Sequence, residues 1–416
     1  MLGLAAVPAF AAPAQDGDNS PILGGNLLDT QVVEGRAWTL EGRFGTIYDT
    51  NFRRTVDPVA AVRLSPLLHF GLGLPVGRQQ LFFGADVGRD IVVNQPGFNR
   101  GRYAVGGGIE WRLGTRCSGM IGAEAYQRLT IVSEQATLTN NVQSVEAFAG
   151  SLGCRSATGF GFGGSVDHRT YRNDTPVRAP YDLRSMVFAP NISYGTQTIG
   201  TFSLTTTFNS TTYPNRATPT PDGFVEEGIK IFNGRLGYSR TFGTRLQLDV
   251  GISRLKTTPR PDTVLTIING QVVPVSRQSF SGAGFDASLT YQPSPRMGLN
   301  LVATRNVTVS PNVGAQFIVR NAYGADFTYS LGPSIDLGLG GRILKNQYER
   351  SFTTASEIAR NHDNTKRLYV SLDYSPVPLY SIGVELAHQW RRADPVLFDF
   401  NSTTARLNLR VKLGRG

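Results

Sequence analysis

Hydrophobic residues fall on every second position along much of this chain, and the alternating segments come in pairs joined by short turns. In one copy Phe317, Val319, Asn321, Tyr323, Ala325, Phe327, Tyr329 and Leu331 share one face. Ile318, Arg320, Ala322, Gly324, Asp326, Thr328 and Ser330 share the other. Successive side chains of a strand point to opposite faces, so such a segment has one apolar and one polar side. It is followed by a matching segment, Ile335–Ile343, and the same layout recurs in Leu368–Tyr374 with Ile382–Leu386. A single hairpin of this kind suits any half-covered sheet. Repeated along the whole chain with turns on a regular beat, it predicts an all-β fold: a closed antiparallel transmembrane β-barrel.

Short turns fall near Leu74-Pro75-Val76-Gly77, Gly114-Thr115-Arg116, Arg155-Ser156-Ala157, Gly195-Thr196-Gln197, Phe242-Gly243-Thr244, Pro293-Ser294-Pro295, Gly332-Pro333 and Ser375-Pro376-Val377. About eight turns spaced roughly 40–50 residues apart leave room for two membrane strands and one loop each. The longer polar connections read as outside loops. They are Gln95–Gly101, Ser133–Asn140, Arg172–Pro180, Asn209–Glu227, Thr257–Gln278, Gln347–Lys366 and Ala393–Asn401. The count is about 18 strands, with 16 the nearest alternative. The short strands near Leu64 and Ile121 are the least distinct. The last strand alternates Ala405, Leu407, Leu409, Val411 and Leu413 with Arg406, Asn408, Arg410 and Lys412, and it lacks the terminal aromatic residue on which many outer-membrane barrels end.

Composition agrees with a barrel. Glycine is abundant at 47 residues, and no run approaches the ~18 apolar residues of a membrane helix. A mean hydropathy of −0.16 looks soluble, but lipid-facing and lumen-facing residues cancel in a barrel wall. Residues 1–14, with the apolar core Leu2–Phe10 and small-x-small sites at Ala9-Phe10-Ala11 and Ala12-Pro13-Ala14, read as a signal peptide or its remnant. Residues 15–35 read as a periplasmic lead-in and residues 36–413 as the barrel. The two cysteines, Cys117 and Cys154, each lie beside a short turn of adjacent hairpins, so a disulfide at one rim is a candidate.

The net charge of +10 is spread over alternating positions instead of being clustered on a helix or tail, which argues against nucleic acid. The face opposite the apolar one carries Arg102, Arg112, Arg128, Arg235, Arg245, Arg320, Arg342, Arg367, Arg406, Arg410, Lys412, Asp249, Asp326 and Asp336. Charge at this density costs about 2–4 kcal/mol per Arg or Lys at the bilayer midplane, so it must face water or a partner charge. These residues are the candidate lumen lining. Rows of them can set up a transverse field that biases a pore towards anions. The alternative is cross-strand ion pairing in a blocked lumen. Remaining cations would contact the headgroups of outer-membrane lipids and lipopolysaccharide.

No cofactor, metal or catalytic residues are predicted. His69, His168, His362 and His388 form no HExxH or His-x-His pattern, and two cysteines offer too few metal ligands. No Gly-x-Ser-x-Gly elbow is present. A barrel-embedded lipid hydrolase built on His388 with Ser402 or Asn401 is a weak alternative.

A first strand ending in Tyr48-Asp49-Thr50-Asn51 resembles the opening of the putative beta-barrel porin 2 family of Gram-negative bacteria. The stretch from Arg367-Leu368-Tyr369-Val370 through Trp390-Arg391-Arg392 to Phe398-Asp399-Phe400-Asn401 is similar to that family's ending. The resemblance implies an outer-membrane location and assembly by the barrel assembly machinery. It also implies a porin or secretion channel for anionic or sugar solutes, linked to exopolysaccharide export proteins. A closed structural or assembly barrel of such an export machine is the alternative.

Overall fold

The computed structural model describes residues 37–131, 140–268, 271–309, 315–350 and 361–415. The signal-peptide and lead-in assignments, and most of the Ser133–Asn140 connection, lie outside the described residues. The chain forms β1 (Ala37–Asp49), β2 (Ala61–Val76), β3 (Gln79–Val92), β4 (Arg100–Leu113), β5 (Cys117–Ile131), β6 (Asn140–Arg155) and β7 (Phe160–Asn173). Next come β8 (Leu183–Thr196), β9 (Gly200–Thr220), β10 (Gly223–Phe242), β11 (Leu246–Arg260), β12 (Thr263–Ile268), β13 (Gln271–Ser276) and β14 (Phe280–Ser294). The last are β15 (Met297–Val309), β16 (Ala315–Ser330), β17 (Ile335–Arg350), β18 (His362–Val377), β19 (Tyr380–Asp394) and β20 (Phe400–Arg415).

All but β12 and β13 belong to one 18-stranded sheet in which neighbours pair antiparallel. The sheet closes because β1 pairs with both β2 and β20. Closure gives every wall strand a partner on both sides through the membrane-level part of the sheet, as a lipid environment requires. Register alternates the faces as expected. Leu246, Leu248, Val250 and Ile252 on β11 face outward beside Tyr291, Leu289, Ala287 and Phe285 on β14. The residues between them face inward.

The 18 wall strands run from 13 to 21 residues, well beyond the roughly 9–11 that cross a bilayer. Two expected loops are in fact ordered strand. Asn209–Glu227 is the paired upper half of β9 and β10, with a register shift at Glu226/Glu227. Thr257–Gln278 holds the separate β12–β13 hairpin. Both are rich in Thr, and the second also in Val, whose branched side chains favour extended structure even where little is apolar. The strands near Leu64 and Ile121 are full-length. The last short turn falls after Val377, slightly later than its Ser-Pro signal.

The β9–β10 tower is held by stacked cations. The Arg216 guanidinium lies 4.6 Å from the Tyr181 ring centroid and 4.2 Å from that of Tyr213. Burial pushes the Tyr213 hydroxyl up to about 12. Arg277, arriving from the β12–β13 hairpin, donates to Glu227 at 2.7 Å.

The seam between the first and last strands has its own clasp, and the Tyr-Asp-x-Asn motif builds it. Asp49 accepts from the Asn51 amide at 2.8 Å, from Arg54 Nη1 at 2.9 Å and from the Ser402 hydroxyl at 2.7 Å. The Asn51 side chain donates across the seam to the Asn401 carbonyl. Arg54 and Arg391 both stack on Phe400.

At the loop end the wall does not close edge to edge everywhere. β14 and β15 pair only below Phe285 and Arg305. Above that level Val307 and Val309 of β15 and Phe317 and Val319 of β16, which carry outward-facing register, pack on Ile229, Ile231 and Phe280. Those three have inward-facing register on β10 and β14. The upper β15–β16 hairpin therefore passes inside the upper β10–β14 wall, and the two overlap around an apolar cluster.

A charged lumen wall as the candidate functional site

Inward positions on β18, β19, β20 and β1 to β4 carry a repeated arrangement: two arginines share one carboxylate. Glu385 on β19 meets Arg367 at 2.8 Å and Arg406 at 3.9 Å. Glu41 on β1 meets Arg43 directly and Arg410 at 3.9 Å. Asp90 on β3 meets Arg100 at 3.0 Å and Arg102 at 3.1 Å. Each set brings two cations to one carboxylate. Arg63 joins the same stretch of wall, in register with Ile47, which is also opposite Arg406. Arg63 Nε, Arg100 Nε and Nη1, and Arg406 Nε are buried with no hydrogen-bond acceptor among the described residues.

The opposite wall has the reverse pattern. β10 stands nine strands from β1 in an 18-stranded ring. There Arg235 alone serves two carboxylates, donating to Asp249 at 2.6 Å and to Asp286 at 2.7 Å. Asp336 and Asp373 also face each other in register, but on β17 and β18 at the flank of the basic arc, not on this opposite wall. A net-basic arc thus confronts a net-acidic one.

The predicted lumen residues separate accordingly. Arg102, Arg367, Arg406 and Arg410 join the basic arc, with Lys412 in register with Glu41. Arg235 and Asp249 form the acidic group, and Arg342 lies 4.0 Å from Asp326. Arg112 stands at the turn end of β4, and Arg128 lies in register with Gln143. Two placements differ from expectation. Arg245 falls in the turn before β11 and is exposed at the rim. Arg320 is buried, donating to Asn346 at 2.9 Å in a network that runs on to Asp363 and Tyr348. It braces β16 to β18 and does not face open lumen.

Glu41, Arg43, Arg63, Asp90 and Arg100 were absent from the sequence-based candidates. Their signal was present, since Glu41 and Arg43 alternate with Leu40, Gly42 and Phe44. His69, 2.6 Å from Asp86, also lies on the inward face. The barrel keeps His388 and Ser402 on opposite faces, while Asn401 shares the outward register of His388. Register puts Ser402 on the inward face and His388 on the outward one, where His388 meets Thr403 at 2.9 Å. Cys117 and Cys154 are joined by a disulfide at the short-turn end, on the outward face.

The family described as Putative beta-barrel porin 2 matches residues 276–413. That stretch is similar to the family's sequences. It spans β14 to β20, including the Arg367, Arg406 and Arg410 positions. No curated protein matches the chain. Among solved structures, the fold is similar to the FrpB iron transporter from Neisseria meningitidis. That match has TM-score 0.52 and 7% identity, covering 86% of this chain and 63% of that one. It is also similar to the outer membrane protein opdK from Pseudomonas aeruginosa, with TM-score 0.49 and 12% identity, covering 92% and 100%. OccK2 (OpdF) of the same organism, solved in complex with glucuronate, gives 0.49 and 10%, covering 92% and 98%. The chain is a porin-like barrel of the bacterial outer membrane.

Proposed function

We propose that the barrel is a passive channel for anionic or acidic-sugar solutes. The observation that carries this reading is the arc of paired arginines facing the Asp249–Asp286 wall. A transverse field of this kind steers an anion along the basic side and repels cations from it. No bond of the solute is made or broken. Acidic exopolysaccharide is the solute class that the family resemblance suggests, and export proteins would then be the periplasmic partners. The test is single-channel conductance of the refolded protein in a planar bilayer under a KCl gradient. Discrete steps with anion preference support the reading, and cation preference sinks it.

The overlap of the β15–β16 hairpin inside the β10–β14 wall favours a second reading, a closed structural barrel of an export machine. That reading predicts silence in bilayers from a folded, inserted protein, together with loss of polymer secretion on deletion.

A further inference from the structure

The outward face of β16 to β19 changes character in ordered rows towards the loop end. Phe327, Leu339, Val370 and Leu386 make an apolar row, and Ala325, Gly341, Leu368 and His388 the next. Above them Tyr323, Ile343, Lys366 and Trp390 form an amphipathic row, the composition of a headgroup-level girdle. Above that, Asn321, Lys345, Asn364 and Arg392 stand side by side in one register row. Lys345 and Arg392 are exposed, two strands or roughly 10 Å apart.

A cavity of about 900 Å³ opens on this face, lined by Asn321, Lys345, Gln347, His362 and Asn364. Gln278 also lines it, contributed by the segment whose Phe280 packs on Phe317 at 6.0 Å. The overlap of the two walls therefore makes an overhang above lipid-facing surface. Two carboxylates border the cavity: Asp363, buried and accepting from Asn346 at 3.0 Å and Tyr348 at 2.7 Å, and Asp394, which accepts from Asn361 at 2.7 Å and lies 3.9 Å from His362. Arg392 has a second carboxylate at 3.5 Å, Asp399.

We infer that this cavity and the Lys345–Lys366–Arg392 cluster form a binding site for the phosphorylated sugar headgroup of an outer-leaflet glycolipid. The amide and imidazole groups suit sugar hydroxyls, and the cations suit phosphate. The apolar rows directly beneath supply the surface for acyl chains. Charge and depth match together: Lys366 stands in the girdle row and Lys345 and Arg392 in the row immediately above it, where a headgroup phosphate lies. A soluble sugar phosphate would satisfy the cavity but not the apolar rows.

The test is binding of bisphosphorylated lipid A to the refolded full chain in detergent, with dephosphorylated lipid A and glucosamine 1-phosphate as comparison ligands. The triple substitution Lys345→Gln, Lys366→Gln, Arg392→Gln is expected to weaken bisphosphorylated lipid A at least tenfold. The exposed Arg172→Gln on β7 is expected to leave it unchanged. Far-UV circular dichroism confirms that each variant is folded. Equal affinity of the triple variant, or equal binding of the dephosphorylated lipid, overturns the site. Glucosamine 1-phosphate binding as tightly as the lipid also overturns it, assigning the cavity to a soluble ligand. Lys366→Arg, which keeps the charge, should retain lipid binding.

Discussion

Removing the second arginine of each triad should change ion selectivity without unfolding the barrel. In the variant Arg102→Gln, Arg406→Gln, Arg410→Gln, every carboxylate keeps its other partner: Arg100 for Asp90, Arg367 for Glu385 and Arg43 for Glu41. The basic arc loses three charges while the Arg235–Asp249–Asp286 wall is untouched. A unit charge roughly 10 Å from a passing ion in water is worth about 0.4 kcal/mol. Screening at 0.1 M salt, with a Debye length of about 10 Å, cuts this to roughly 0.15 kcal/mol. Three charges, acting with opposite sign on anion and cation, then shift their relative permeability by about 0.9 kcal/mol, or roughly fivefold. At 0.01 M the Debye length is about 30 Å and the shift should grow to roughly twentyfold. Reversal potentials in KCl gradients at the two ionic strengths measure this directly. An unchanged reversal potential from a conducting, folded variant would refute the transverse-field argument. A shift independent of salt would mean that pore shape had changed instead.

Asp249→Asn should move selectivity the other way, raising anion preference, because Arg235 keeps Asp286 while the acidic wall loses a charge; the same reversal-potential assay reads it. Reducing the Cys117–Cys154 bridge, which closes a sequence separation of 37, should cost about 4 kcal/mol of stability. Urea unfolding of the inserted barrel with and without reductant checks this, and a midpoint unaffected by reductant would contradict it. Asp49→Ala strips the seam clasp and removes the carboxylate that Arg54 pairs with, a loss of about 3–5 kcal/mol visible in the same titration. Burial pushes the Glu227 carboxyl up, but Arg277, the Thr218 hydroxyl and Arg216 outweigh it and hold it below its ordinary value. Such a depressed group stabilises fully above the unfolded value of about 4.3 and loses that contribution as pH falls through its lowered value. Hydrogen-exchange protection of the β9–β10 tower should therefore hold from pH 7 to 5, after correction for intrinsic rates. Loss of protection in that window would contradict the pairing.

Alternation along each strand was enough to assign the faces of this barrel. Leu246, Leu248, Val250 and Ile252 could only be lipid-facing and Asp249 lumen-facing, because a strand has a period of two and the bilayer tolerates no exposed charge at its centre. The turn beat likewise carried the strand number, whereas the seam clasp that Asp49 and Asn51 build had no signal in the alternation. Polar towers were harder to read. Thr211, Thr212, Thr218 and Thr220 look like loop by hydropathy, yet they pair as strand above the membrane, where water makes no demand for apolar side chains.

What one strand cannot encode is which charges meet across many strands. Arg320 and Arg406 both sit on inward positions of alternating segments, and only packing distinguishes them: one is buried against Asn346, the other shares Glu385 with Arg367. Likewise Phe317 and Val319 have outward register but end up covered, because the wall parts between β14 and β15 and overlaps itself. Local periodicity thus determined strands, faces and membrane location. Ring closure alone decided that a basic arc opposes an acidic one, since that relation joins residues nine strands apart and has no local signature.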